Sequence, residues 1–281
     1  MHVRSPRIGV FSLCLLLLSA VSARAQPPSP VGFVEPPSRE LEILPFTDAQ
    51  IDKLLTTFNE VIAAGVDVSD PATDPELNLW KFLRWLQNGI LSPKQQGRVL
   101  TELSRASEAH PELADMLEKE ARAVRSVTIG KVAPEIEGPD LDGQNFRLSD
   151  YRGKVVMLTF TGDWCGICRS EYPYQRLLQE LYKDWPFVLL SVNSDTSPEV
   201  ARKAKTSRGL FYRSWWEKRS DSKASGPIAR TYDLYGWPTV YLLDDEGVIR
   251  FVDLRQEDLL KAVRQLLTEM DRRSVSLQTG G

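Results

Sequence analysis

Hydrophobic positions in this chain follow two regimes. In the first, Ile51, Leu54, Leu55, Phe58, Val61 and Ile62 recur at helical spacing up to Gly65, and Thr47 with Gln50 supplies a capping box at the start. A second helical pattern runs from about Asp74 to Asn88, carries Trp80 and Trp85 among its apolar positions, and stops near Gly89. Ser92-Pro93 caps and opens a third helix with Val99, Leu100 and Leu103, and His110-Pro111 opens a fourth with Leu113, Met116, Leu117 and Val124. Residues 46–127 are thus expected to form a small all-α bundle. Aromatic residues at helical spacing belong to its core before they belong to a docking surface.

The second regime begins at Gly130, where short apolar runs alternate with turns. Asp140-Leu141-Asp142-Gly143-Gln144-Asn145 separates two such runs and predicts a hairpin, without the full calcium-loop pattern. Val155–Phe160 is a continuous apolar run, as in a strand buried on both faces. A helical pattern follows from Cys165 to Tyr182, then a second buried strand over Phe187–Val192 and a helix from Ser197 with Pro198 in its first turn. Strand, helix, strand implies a right-handed crossover and a parallel pair. Thr239–Leu243 and Val248–Val252 flank Asp244-Asp245-Glu246-Gly247 as an antiparallel hairpin, and a closing helix is expected from about Gln256 to Asp271. The predicted class is α/β, a mixed sheet flanked by helices over residues 128–272, preceded by the helical bundle and followed by a flexible tail, 273–281.

Composition adds little, because 42% hydrophobic and 26% charged residues are ordinary for a globular chain. The first residues add more. Arg4 and Arg7 precede an apolar run from Ile8 to Val21 that ends in Ala23-Arg24-Ala25, which predicts a secretory signal peptide, residues 1–25. The run is shorter than the roughly 20 apolar residues that cross a bilayer, so membrane association is expected only if this segment stays uncleaved. Cys14 lies within it and lacks the small residues that precede a lipid-modified cysteine. Cleavage removes three arginines and takes the net charge from −3 to −6. Residues 26–45 are proline-rich and predict an extended linker. A periplasmic or other extracytoplasmic location follows. No basic footprint for nucleic acid is present, because charges of both signs are mixed along the chain.

Beyond the signal the chain keeps Cys165, Cys168 and the single His110. A closed zinc site takes about four Cys or His ligands, so no metal site is expected. His110 opens a helix in another region, which argues against a Cys–His hydrolase. In Trp164-Cys165-Gly166-Ile167-Cys168-Arg169 the cysteines are three apart where a buried strand gives way to a helix. That spacing puts both on one side of the first helical turn, within reach of a disulfide. Free backbone N–H groups and the positive end of the helix dipole stabilise a thiolate at the first position. Cys165 is therefore the expected attacking sulfur, and Cys168 the one that resolves a mixed disulfide. A purely structural bridge would close too short a loop to stabilise much.

The stretch from Lys154 to Pro173, with Gly236-Trp237-Pro238-Thr239 downstream, resembles the thioredoxin superfamily, and most of all its exported TlpA/ResA-type thiol–disulfide oxidoreductases. Val132-Ala133-Pro134, Leu141-Asp142-Gly143 and Leu148-Ser149-Asp150 are similar to that group's N-terminal hairpin. The resemblance covers about residues 130–272 and leaves the helical region without a role. It implies a thioredoxin-like fold that works without a cofactor, on protein thiol or disulfide substrates and an unidentified redox partner. Pro238 matches the family's cis-proline, whose loop lies against the disulfide. With Trp164 and the bulky Trp237 it is expected to line the substrate groove. Glu171 matches a glutamate beside the active cysteines and is expected to exchange protons with the resolving thiol.

Two departures stand out. Thr159 occupies the position of thioredoxin's buried acid, and Ile167 stands where the family usually has proline, which leaves the direction of electron flow open. Phe211–Ser225, with Trp215 and Trp216, reads as an insertion before the helix opening at Pro227, and serves equally well as a partner-contact loop or as aromatic packing over the sheet. Two other functions compete. A peroxidase of the peroxiredoxin kind wants P-x-x-x-T-x-x-C, but Leu158 and Gly162 stand at those positions. A scaffold acting through residues 46–127 would leave the redox part residual.

Overall fold

Local signals build the N-terminal helices. In the computed structural model, which describes residues 45–63, 90–219, 226–234 and 236–279, helix α1 spans Asp48–Ala63. The Thr47 N–H donates to Gln50 Oε1 at 2.8 Å and the Gln50 N–H to Thr47 Oγ1 at 3.2 Å, closing the expected capping box. Helix α2, Pro93–Ala109, has the same device in Ser92 and Gln95, with Pro93 at its first position. One 3₁₀ turn, Pro111–Leu113, leads into α3, Ala114–Ser126. The three helices share a core of Ile51, Phe58, Val99, Leu103, Leu117 and Val124. The expected helix from Asp74 to Asn88, with Trp80 and Trp85, lies outside the described residues, as does the expected signal segment.

After α3, the short strands β1 (Glu137–Pro139) and β2 (Asn145–Arg147) pair antiparallel around the predicted turn, where Asp140 Oδ1 accepts from the N–H groups of Asp142 and Gln144 at 2.9 Å. The main sheet is built from β3 (Val155–Thr161), β4 (Phe187–Asn193), β5 (Arg213–Trp216), β6 (Thr239–Leu243) and β7 (Ile249–Val252). Its order is β5-β4-β3-β6-β7, with β3, β4 and β5 parallel and β6 and β7 antiparallel to their neighbours. This is the thioredoxin-like mixed sheet expected. Helix α4 (Gly166–Leu181) provides the crossover from β3 to β4, α5 (Pro198–Arg208) that from β4 to β5, and the short α6 (Pro227–Thr231) precedes β6.

Both faces of β3 are covered, which is why its sequence is continuously apolar. Val156, Leu158 and Phe160 face a layer with Phe146, Trp215, Tyr232 and the last residues of the helical segment, Ala123 and Val127. Val155 and Met157 face Tyr172, Leu178, Leu259 and Leu266 from α4 and the final helix α7, Gln256–Thr279.

Two expectations about elements are corrected. The region Phe211–Ser225 enters the sheet as strand β5 in place of the expected insertion, and of its two readings aromatic packing holds for Trp215, which is buried and stacked on Phe146 at 3.9 Å between ring centroids. Four residues are too few to show a strand's alternation. The tail expected at 273–281 is helical to Thr279, because no glycine or proline breaks α7 after Asp271 until Gly280. Ser274 Oγ bonds back to the Met270 carbonyl, and Arg273 pairs with Asp245.

Candidate active site

The site forms where β3 ends and α4 begins. Thr161 closes the strand, Gly162-Asp163-Trp164 turns the chain, and Cys165 caps α4 with extended backbone angles. Gly162 is required there, since a Cβ would collide with the Trp164 indole. From the far end of β4, Asp195 Oδ1 accepts from the Asp163 N–H at 2.8 Å and its own backbone oxygen from Trp216 Nε1 at 2.8 Å. The Ser194 carbonyl accepts from Trp164 Nε1 at 3.2 Å, and Arg208 pairs with Asp163 at 3.1 Å. Neighbouring elements thus hold the turn on several sides.

Cys165 and Cys168 are joined as a disulfide, with Cα atoms 5.2 Å apart. Cys165 Sγ accepts from the Cys168 backbone N–H at 3.1 Å, so the first helical turn points a donor at the first sulfur. Cys168 is wholly buried, whereas Cys165 retains 6% of its surface beside two well-exposed neighbours, Trp164 at 40% and Ile167 at 66%. An incoming group therefore meets Cys165 first. Across from it the Trp237–Pro238 bond is cis, and the Trp237 carbonyl oxygen lies 3.6 Å from Cys165 Sγ. The Trp237 ring meets Trp164 edge-on at 5.5 Å. The turn, the disulfide and the proline loop form one continuous lip.

The remaining expected site residue, Glu171, lies one turn beyond Cys168 and is buried. Its Oε2 accepts from the Gln256 backbone N–H at 3.4 Å, which ties α4 to the start of α7. Arg255, next in chain to Gln256, donates to the Pro238 carbonyl at 2.7 Å and to Asp253 at 2.9 Å, and Asp253 in turn accepts from the Val240 N–H at 3.1 Å. Neither Arg255 nor Asp195 was identifiable beforehand, since each serves the site through a bond to backbone far away in sequence. Arg219 likewise lies over the Trp164 ring at 3.9 Å. Among the described residues, no group of three or more His, Cys, Asp or Glu side chains could hold a metal ion. Nor, among them, is any helix long and apolar enough to cross a membrane.

A disulfide of this kind accepts a thiolate, and its dithiol form attacks a disulfide. The sequence profile of the AhpC/TSA family matches residues 129–252. Over 125 residues the chain is 32% identical to the thiol-disulfide oxidoreductase ResA of Geobacillus kaustophilus, an alignment covering 44% of this chain and 68% of that one. It is 34% identical over 121 residues to the thioredoxin-like protein YneN of Bacillus subtilis, covering 43% and 68%. Among solved structures, the thioredoxin domain of a thiol-disulfide oxidoreductase from Bacteroides vulgatus is 31% identical and aligns over 50% of this chain and 98% of that chain, with a TM-score of 0.45.

Proposed function

Because this chain belongs to the ResA family of thiol–disulfide oxidoreductases, we propose that it exchanges its Cys165–Cys168 pair with cysteines of protein substrates outside the cytoplasm. The observation that carries this reading is Cys165 at the mouth of α4, with a helix N–H on its sulfur and the cis-proline loop 3.6 Å away. In the dithiol form, the Cys165 thiolate attacks one sulfur of a substrate disulfide, and a mixed disulfide forms as the other substrate sulfur leaves and takes up a proton. Cys168 then loses its proton and attacks Cys165 Sγ, releasing the second substrate thiol. The substrate disulfide gains two electrons and two protons, and the enzyme ends as the Cys165–Cys168 disulfide. The sequence runs backwards when the substrate is a dithiol.

Trp164, Trp237 and Pro238 line the groove in this scheme, their aromatic faces and backbone groups receiving an extended chain. Glu171, buried one turn beyond Cys168, takes the proton of the resolving thiol. The arginine-led apolar run at the start of the sequence supports export. Expression of the whole chain with a C-terminal tag, followed by cell fractionation, checks this: recovery in the cytoplasm would refute it.

Cys168→Ala is expected to accumulate substrate proteins disulfide-linked to Cys165, and Cys165→Ser to accumulate none. Their display on non-reducing gels followed by reduction is the test. A chain that neither traps adducts nor reduces insulin would refute the function proposed. Redox titration of the pair decides direction, since a potential near about −270 mV marks a reductant and one near about −120 mV an oxidant.

A further inference from the structure

The helical segment lies outside the family match, yet it touches the chain that carries the cis-proline. Three features of α3 converge there. Lys119 Nζ donates to the Leu234 carbonyl oxygen at 2.8 Å, Arg122 lies 3.7 Å from the buried carboxylate of Asp233, and Ala123 shares the sheet's core with Leu234. Asp233 has a left-handed backbone, φ 45°, where the chain leaves α6. Four residues beyond it comes Trp237, whose ring packs on that same core and whose carbonyl faces Cys165 Sγ.

We propose that the helical segment is a brace for the substrate-facing loop, with Lys119 as the positioning residue that holds the Leu234 carbonyl and, through it, Trp237 and Pro238 against Cys165. Just after α6 the Leu234 carbonyl is gripped by a helix residue 115 positions away in sequence, and a charged donor makes the stronger kind of hydrogen bond. A groove that receives an extended protein chain depends on the placement of its backbone, because small misplacements of positioned groups are costly. A small disulfide meeting Cys165 end-on needs no such groove. The brace rests on the proposal that the substrates are proteins, and it adds a task for residues to which the family resemblance assigns none.

The test uses the full chain with two substrates, insulin with dithiothreitol as electron source, and the small disulfide 5,5′-dithiobis(2-nitrobenzoate). Lys119→Met keeps the aliphatic stem and loses the donor. It is expected to lower kcat/KM for insulin about tenfold, chiefly through KM, while the small disulfide reacts within about twofold of the wild-type rate. Lys119→Arg should recover most of the insulin activity, which a merely packing role would not require. Asp233→Asn, which keeps a residue tolerant of positive φ but removes the charge facing Arg122, should show the same selective loss on a smaller scale. A Lys119→Met protein that matches wild type on insulin, or that loses both activities by one factor, would overturn the brace. If Lys119→Met fails to fold, Asp233→Asn alone decides by the same criterion. A wild-type chain that reduces the small disulfide but not insulin would refute the protein-substrate proposal, and the brace with it.

Discussion

At Cys165 the same residue serves as helix cap and as accessible sulfur, while Cys168 one turn later has no exposed surface. Their reactivities in the dithiol form must therefore differ. Iodoacetamide is expected to modify Cys165 at least about tenfold faster than Cys168, which peptide mapping by mass spectrometry would show, and equal labelling would contradict the assigned roles. Glu171 invites a second substitution. Glu171→Gln keeps the shape and an acceptor for the Gln256 N–H but removes the base, so decay of a preformed mixed disulfide should slow by about a hundredfold with little change in its formation. The position of Glu171 three residues after Cys168 was legible in the sequence. Its burial against the start of α7 was not, because Gln256 is 85 residues away.

Among the elements, β5 and α6 are each held by residues from other parts of the chain. Trp215 on β5 stacks on Phe146, and the Arg213 guanidinium covers the other side of that ring at 4.0 Å while also bonding Asp140 at 2.7 Å. Trp215→Ala should cost about 3–5 kcal/mol, since a large buried ring is lost and the hairpin that carries Phe146 loses its seat; urea denaturation measures it. Helix α6 takes its N-terminal hydrogen bonds from afar. Glu217, at the end of β5, accepts from the Ile228 and Ala229 N–H groups at 2.9 Å each. A Cβ at position 226 would fall on that carboxylate, so Gly226 is a matter of space there. Glycine before Pro227 reads in sequence as an ordinary helix start, and only the fold shows that its cap comes from Glu217.

Across the whole molecule, the junction between α3 and the sheet leaves a buried acid. Burial pushes the Glu120 carboxyl up to about 8; Lys119 and Arg122 draw it down only in part, and Asp233, itself pushed up to about 6 by burial, adds to the rise. The folded chain thus keeps a proton that the unfolded chain gives up above its ordinary value of 4.5. Stability from this group is full below that value and is lost as pH climbs towards about 8. Wild type should therefore lose about 2–4 kcal/mol more than Glu120→Gln between pH 5 and pH 8, as urea midpoints would record. Equal slopes for the two proteins would place the carboxyl in water.

What the amino-acid sequence determined by itself was whatever depends on near neighbours. The capping boxes at Thr47 and Ser92, the apolar run of β3, the hairpin turn at Asp140 and the pair Cys165–Cys168 at a helix start all act within a few residues along the chain. Periodicity and capping are local energies, so a local window contains them. Tertiary structure alone decided which distant groups would meet: Glu171 with Gln256 across 85 residues, and Lys119 with Leu234 across 115. Those contacts follow from strand order and from which face of each helix is buried. A lysine on a solvated helix and a lysine gripping a carbonyl carry the same letter, and only the packing around them separates the two.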